Sequence, residues 1–171
     1  MSVLEFQCLK CGGCCRDLIW VKDGLKKGNT LTPKEAKLFP LEAISPHMAV
    51  GIEKPETVIL YQLNVTDCPF IDQTNKCKIY SNRPLICQAF PIVENTYSTK
   101  CKVFSFSKYG MKIVIDWDMY QVEAGQKLDR YIINNFKKNF KKGISVWSFD
   151  LATNKWVLRN TYKEYTGTLK F

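Results

Sequence analysis

Four cysteines within ten residues, CLKCGGCCRD from Cys8 to Asp17, limit this chain more than any other feature. Sulfurs this dense suit a metal, a disulfide framework or a reactive thiol, and each needs a different fold around it. Cys8, Cys11 and Cys14 form C-x2-C-x2-C, so a tight turn can point three sulfurs toward one centre. Gly12 and Gly13 let the backbone curl closely there, and backbone N–H groups in such a loop can donate to thiolates. The same spacing opens the bacterial ferredoxin run, although the fourth cysteine of that run is absent here. Cys15 directly follows Cys14, and neighbouring side chains are expected to diverge, so one of the pair should face a second partner. A distal set, Cys68, Cys77, Cys87 and Cys101, can supply missing ligands by folding back on the first cluster. Zinc takes four thiolates at about 2.3 Å, and an iron–sulfur cluster also takes four.

The redox compartment bears on that choice. MSVLEFQC has no basic stretch ahead of an apolar one, so the expected location is cytoplasmic, where thiols stay reduced and dense cysteine points to metal. No apolar run approaches the roughly 18 residues of a membrane span, so no membrane association is expected. With 46% hydrophobic residues the 171-residue chain should fold as one compact domain, 1–171. The formal charge of +9 overstates the basicity if several cysteines are bound thiolates. Basic residues are spread through the chain except in FKKNFKKG, which carries Lys137, Lys138, Lys141 and Lys142. That run fits the end of a helix, with docking on RNA or ribosomes as the alternative.

DLIWVKDG reads as a short strand and turn, and TPKEAKLF as a helix with Thr32 as N-cap, Pro33 first and Glu35 closing a capping box. Residues 40–57 hold three prolines and the lone histidine, His47, and read as a loop, with His47 in a loop or surface role. TVILYQLNV has strand composition. Asn75 is expected in a turn, and Pro84 in the first turn of a short helix capped by Ser81 or Asn82 and stopped by Pro91. KVFSFSKYGMKIVIDW reads as a hairpin. A long amphipathic helix follows, with Asp118 as cap and Tyr120, Ala124, Leu128, Ile132, Phe136 and Phe140 on its apolar face. SVWSFDL and KWVLRN flank ATN as a second hairpin. The expected class is α+β: a cysteine-cluster region over 1–101, then a hairpin, helix and hairpin extension over 102–171.

FQCLKCGGCCR, LTPKEA and CPFIDQTNKCKIYSNRPLICQAFP together resemble the YkgJ-type cysteine-cluster family of CxxCxxCC zinc- or iron-chelating proteins. The second stretch follows that family's CPF, C-x-I-Y-x-x-R-P and C-R-x-[FY]-P pattern, except for Gln88, where the family commonly has Arg. The resemblance covers about residues 6–101 and implies a metal site built from both signatures, but no general reaction. A similar cluster occurs in part of the much longer flagellin lysine methylases.

The sequence reading is therefore a metal-binding protein in which Cys8, Cys11, Cys14, Cys15, Cys68, Cys77, Cys87 and Cys101 hold zinc or an iron–sulfur cluster. The three-cysteine spacing leans toward a cluster of the 4Fe–4S type, in a structural or redox role. Alternatives are an accessory factor or methylase-like enzyme of protein modification with a protein partner, and a basic RNA- or ribosome-associated module. Arg83 and Arg16 are candidates to offset thiolate charge, with a surface ion pair as the competing role for each. Tyr80, Phe90 and Phe70 are expected to pack around the site. Asp116, Asp118 and Glu123 do not read as paired catalytic carboxylates, since Asp118 is better placed as a cap. With His47 the lone histidine, a cysteine nucleophile lacks a base.

Overall fold

The computed structural model describes residues 4–5, 9–93, 96–98, 100–101, 115–116, 119–139 and 143–161. Cys8, Asp118, Phe140, Lys141, Lys142 and most of the hairpin expected over 102–117 lie outside them. In chain order the strands are β1 (Leu4–Glu5), β2 (Trp20–Lys22), β3 (Leu25–Lys27), β4 (Thr30–Leu31), β5 (Ile44–Gly51) and β6 (Thr57–Leu63), with helix α1 (Pro33–Ala36) after β4. Helix α2 (Leu85–Ala89), β7 (Ile92–Val93), β8 (Thr96–Tyr97) and β9 (Ile115–Asp116) follow, then α3 (Met119–Asn139), β10 (Ser145–Asp150) and β11 (Lys155–Thr161). Helix and sheet are mixed, as an α+β reading requires.

By contacts the chain forms two compact units, Met1–Leu18 with Thr66–Asp129, and Ile19–Val65 with Arg130–Phe171. The second unit is built on an antiparallel sheet of order β11-β10-β5-β6-β4. Val50, Ile59, Leu60 and Val146 from its strands bury with Phe136 of α3 and with Ile144, and Met48, Tyr131 and Ile132 pack against them. Each such side chain contributes roughly 1.5–3 kcal/mol on leaving water. The capping box on α1 is complete: Glu35 N–H donates to Thr32 Oγ1 (3.3 Å), while Thr32 N–H and its hydroxyl donate to Glu35 Oε2 (2.8 Å each). Asp150 closes the β10–β11 turn by accepting from the N–H groups of Ala152 and Thr153, and it takes a third N–H from Lys26 (2.8 Å).

The loop expected over 40–57 is instead a 3₁₀ turn at Leu41–Ala43 followed by the eight-residue strand β5. Pro46 is tolerated because β10 pairs β5 only from Met48 to Gly51, so the missing N–H falls where that neighbour has ended. His47 is accordingly buried within a strand, not on a loop or the surface. Its Nδ1 hydrogen-bonds with the Thr30 hydroxyl (3.1 Å) and the ring hydrogen-bonds to the Tyr61 main chain, and burial pushes its pKa down to about 3, with the Lys27 charge adding to the effect. Gln62, fully buried, ties the same strands by accepting from Gly28 N–H (2.9 Å) and donating to Pro46 O (2.7 Å). On α3, Ala124, Leu128 and Phe136 are buried as the helical period requires, but Tyr120 is 45% exposed and its hydroxyl donates to Gln88 Oε1 (3.0 Å).

Candidate metal centre

The seven described cysteines all fall in the first unit and all carry free thiols. Its N-terminal loop turns at Gly12, whose φ of 72 lies in the left-handed region, and enters a 3₁₀ turn over Gly13–Cys15 closed by Cys15 N–H to Gly12 O (2.9 Å). Both glycines are needed for close approach. A Cβ on Gly12 would stand 2.8 Å from Ile71 Cδ1 and 3.0 Å from Asn75 O, and one on Gly13 would stand 2.9 Å from Lys100 O. The loop therefore lies against backbone of the second cysteine segment. Two main-chain bonds fix it there, Cys68 N–H to Cys15 O and Leu18 N–H to Thr66 O, both 2.8 Å. Arg16 reinforces the join by donating to Asp67 Oδ2 (3.2 Å) and Asn75 Oδ1 (2.7 Å).

The second segment is a tight loop whose two sides meet at an Ile71–Cys77 bridge. Asn75 sits at φ 63 in the expected turn, and Asp72 accepts from Thr74 N–H, the Thr74 hydroxyl and Lys76 N–H at 2.8–2.9 Å. Cys68 and Cys77 thus stand at the two ends of a clamped loop. Cys87 is carried by α2, which has Pro84 as its N-cap residue and no side-chain cap. The expected caps Ser81 and Asn82 belong instead to a separate 3₁₀ turn, Tyr80–Asn82, and the helix ends at Ala89 before Pro91.

The sulfurs of Cys14 and Cys15 are 4.0 Å apart. They do not diverge as the sequence suggested, because a 3₁₀ turn sets successive side chains about a third of a turn apart, not on opposite faces. Cys15 is buried and hydrogen-bonds to both Cys14 and Cys68. Those bonds from Cys15 are the chief reason the pKa values of Cys14 and Cys68 fall to about 7, while Cys15, holding the proton between two sulfurs, is pushed up. Cys68 also accepts from the main chain of Phe70 and Ile71, and Cys77 from that of Ile79. Burial raises the thiols of Cys77 and Cys87.

Arg83 lies with its guanidinium carbon 3.8 Å from the Tyr80 ring centroid and donates from Nε to Tyr80 O (2.9 Å). Its charge favours the thiolate forms of Cys14, Cys77 and Cys87. Lys10 Nζ sits 5.4 Å from the same ring. Tyr80 is thus an exposed platform for two cations and not the packing residue expected of it. Glu123 forms an i,i+4 ion pair with Lys127 (3.8 Å), an ordinary helix-surface role. The short main-chain reach from Cys15 to Cys68 and the Tyr80–Arg83 stack went unseen in the sequence. The RP pair after an aromatic residue was the only visible hint of the stack. Among the described residues, no group of three or more cysteine, histidine or acidic side chains lies close enough together to hold a metal ion.

These features define a cysteine-cluster protein with soft sulfur donors gathered from two chain segments. The chain belongs to the CxxCxxCC family, described as a putative zinc- or iron-chelating domain, whose model matches residues 7–106, more than half its length. Comparison with curated proteins and with solved structures gives no match. Among the described residues no helix is long and apolar enough to cross a membrane.

Proposed function

We propose that the first unit is a thiolate metal centre that holds zinc and joins the N-terminal loop to the segment from Cys68 to Cys101. The observation carrying this reading is the 4.0 Å separation of the Cys14 and Cys15 sulfurs. A tetrahedral ion with bonds of about 2.3 Å spaces its sulfur ligands by about 3.8 Å. In a 4Fe–4S cluster each iron takes a single cysteine, so no two cysteine sulfurs share one metal at that spacing. The chemistry of the donors suits the ion. Cys14 and Cys68 have thiols that ionise near neutral pH, and main-chain N–H groups and Arg83 stand ready to stabilise thiolate charge. When bound, zinc would supply a cross-link between the two segments, and its binding energy would become folding energy. Arg83 offsets charge at the centre, and Arg16 holds the two segments in register through Asp67 and Asn75.

A second reading, an iron–sulfur cluster in a redox role, is supported by the C-x2-C-x2-C spacing of Cys8, Cys11 and Cys14. Zinc, iron and acid-labile sulfide measured on protein purified without oxygen separate the two. Zinc without sulfide supports the structural centre. Iron with sulfide and a visible band that bleaches in air supports the cluster, and metal-free folded protein overturns both.

A further inference from the structure

The second unit, which holds none of the described cysteines, gathers basic side chains of its own. In the β2–β3 hairpin Trp20 pairs with Lys27 and Lys22 with Leu25, so these four side chains share one face. Leu25 is buried and Lys27 half-buried on that face, while Val21 and Lys26 on the opposite face are exposed. Two contacts tie the hairpin to β10 and β11. Lys27 Nζ donates to Oγ of the buried Ser148 (3.4 Å), and Arg159 donates to Asp23 in the hairpin turn, to its carboxylate at 2.6 Å and its carbonyl at 3.4 Å. Ser148 pairs with Val157, two residues before Arg159, which brings the arginine to the same end of the sheet as Lys27.

The charges gathered there do not balance. Among the described residues Lys27 forms no ion pair, and its bond to the Ser148 hydroxyl is long. Burial pushes its amine below the ordinary value, the charges of Arg159 and Lys22 add to that, and Asp23 offsets them only in part. His47, neutral through burial, supplies no countercharge. Three cations against the single carboxylate of Asp23 leave two positive charges around a half-buried ammonium, an arrangement that costs free energy until an anion enters. We infer that Lys22, Lys27 and Arg159 bind a phosphate dianion, free or as a phosphomonoester, beside the Ser148 hydroxyl. The net charge matches a dianion, and donors carried by three different strands suit the diverging oxygens of a tetrahedral oxyanion better than the two coplanar oxygens of a carboxylate.

The test is calorimetric titration of the full chain with inorganic phosphate, with glycerol phosphate as the phosphomonoester and acetate as the carboxylate control. Lys27→Gln should weaken phosphate binding by about tenfold or more, as loss of a charged hydrogen bond does. Lys22→Gln, at an exposed position, should weaken it by about threefold. Asp23→Asn should tighten it, because the offsetting charge is removed and Arg159 is released. Tighter binding of phosphate than of glycerol phosphate assigns the free ion, the reverse order assigns the ester, and either supports the site. Absence of phosphate binding, acetate binding as tightly as phosphate, or phosphate binding unchanged in Lys27→Gln overturns the proposal. Because a variant can fail to fold, wild-type protein is also acetylated with an N-hydroxysuccinimide ester and mapped by mass spectrometry. Phosphate should slow modification of Lys27 and leave Lys26, on the opposite face of the same strand, unaffected. An unchanged rate at Lys27 sinks the assignment.

Discussion

Replacing Gly12 by alanine tests whether close backbone approach assembles the cysteine centre. Two costs are readable. An alanine at φ 72 pays roughly 1 kcal/mol for the left-handed conformation. Its Cβ would also stand 3.0 Å from Asn75 O, a main-chain atom that can yield only by moving the clamped loop, whereas Ile71 Cδ1 at 2.8 Å can rotate away. Displacing that packing adds about 1–2 kcal/mol, for a total of about 2–3 kcal/mol. Gly24 supplies the control, since its φ of 73 is nearly the same and nothing lies within 4 Å of its Cβ position. Gly24→Ala should cost only the conformational part, roughly 1 kcal/mol. Urea unfolding reads both variants, and competition with a chelator reads the ion. Gly12→Ala should bind metal at least tenfold more weakly than wild type, while Gly24→Ala should bind as wild type does. Equal destabilisation by the two variants, with unchanged metal affinity in both, would refute the argument that Gly12 exists for contact with the second cysteine segment.

Three further outcomes are expected. His47 has its folded pKa lowered to about 3 from an ordinary 6.5, so the stability of its neutral form is complete above pH 6.5 and is lost progressively as pH falls toward 3; unfolding free energies measured from pH 7 to 4 should fall less steeply in His47→Gln. Thr32→Ala removes the hydroxyl from an intact capping box and should cost about 1 kcal/mol in urea titration without changing metal content. Arg83→Gln removes a charge that favours three thiolates and should weaken metal binding by about 10-fold or more, with Lys10→Gln, whose cation stacks on the same Tyr80 ring, changing it less.

Features fixed by a few neighbouring residues were legible in the sequence. The Thr32–Glu35 capping box, the Asn75 turn and the β10–β11 hairpin each depend on contacts within a handful of positions, and each forms as expected. β5 was read as loop because Pro46 within it, with Pro40 and Pro55 to either side, outweighs its apolar residues locally, and only the register against β6 and β10 shows where a missing N–H is harmless. Tyr120 fits the helical period yet is exposed, since period identifies a face but not how far its cover extends. At the candidate site the cysteine positions were plain from spacing. The 4.0 Å approach of Cys14 and Cys15 was not, because it depends on a 3₁₀ turn that a Gly-Gly pair permits without dictating.

The segment 19–65, which supplies β2 to β6 of the other unit, separates the two halves of the cysteine-rich unit in the chain. This sets an order of events during synthesis. Cys15 is made 53 residues before Cys68, the first described sulfur partner from the distal segment, as their positions show. At about 5–20 residues per second, that interval is roughly 3–10 s. Throughout it the early thiols have no distal loop to rest against, and β5 likewise awaits β10, which is made nearly a hundred residues later. Each unit encloses part of the other in time, so a nascent chain keeps its sulfurs open to oxidants and stray metal until the distal loop emerges. Thiol labelling of ribosome-stalled chains ending before and after Cys77 would time the moment at which they close.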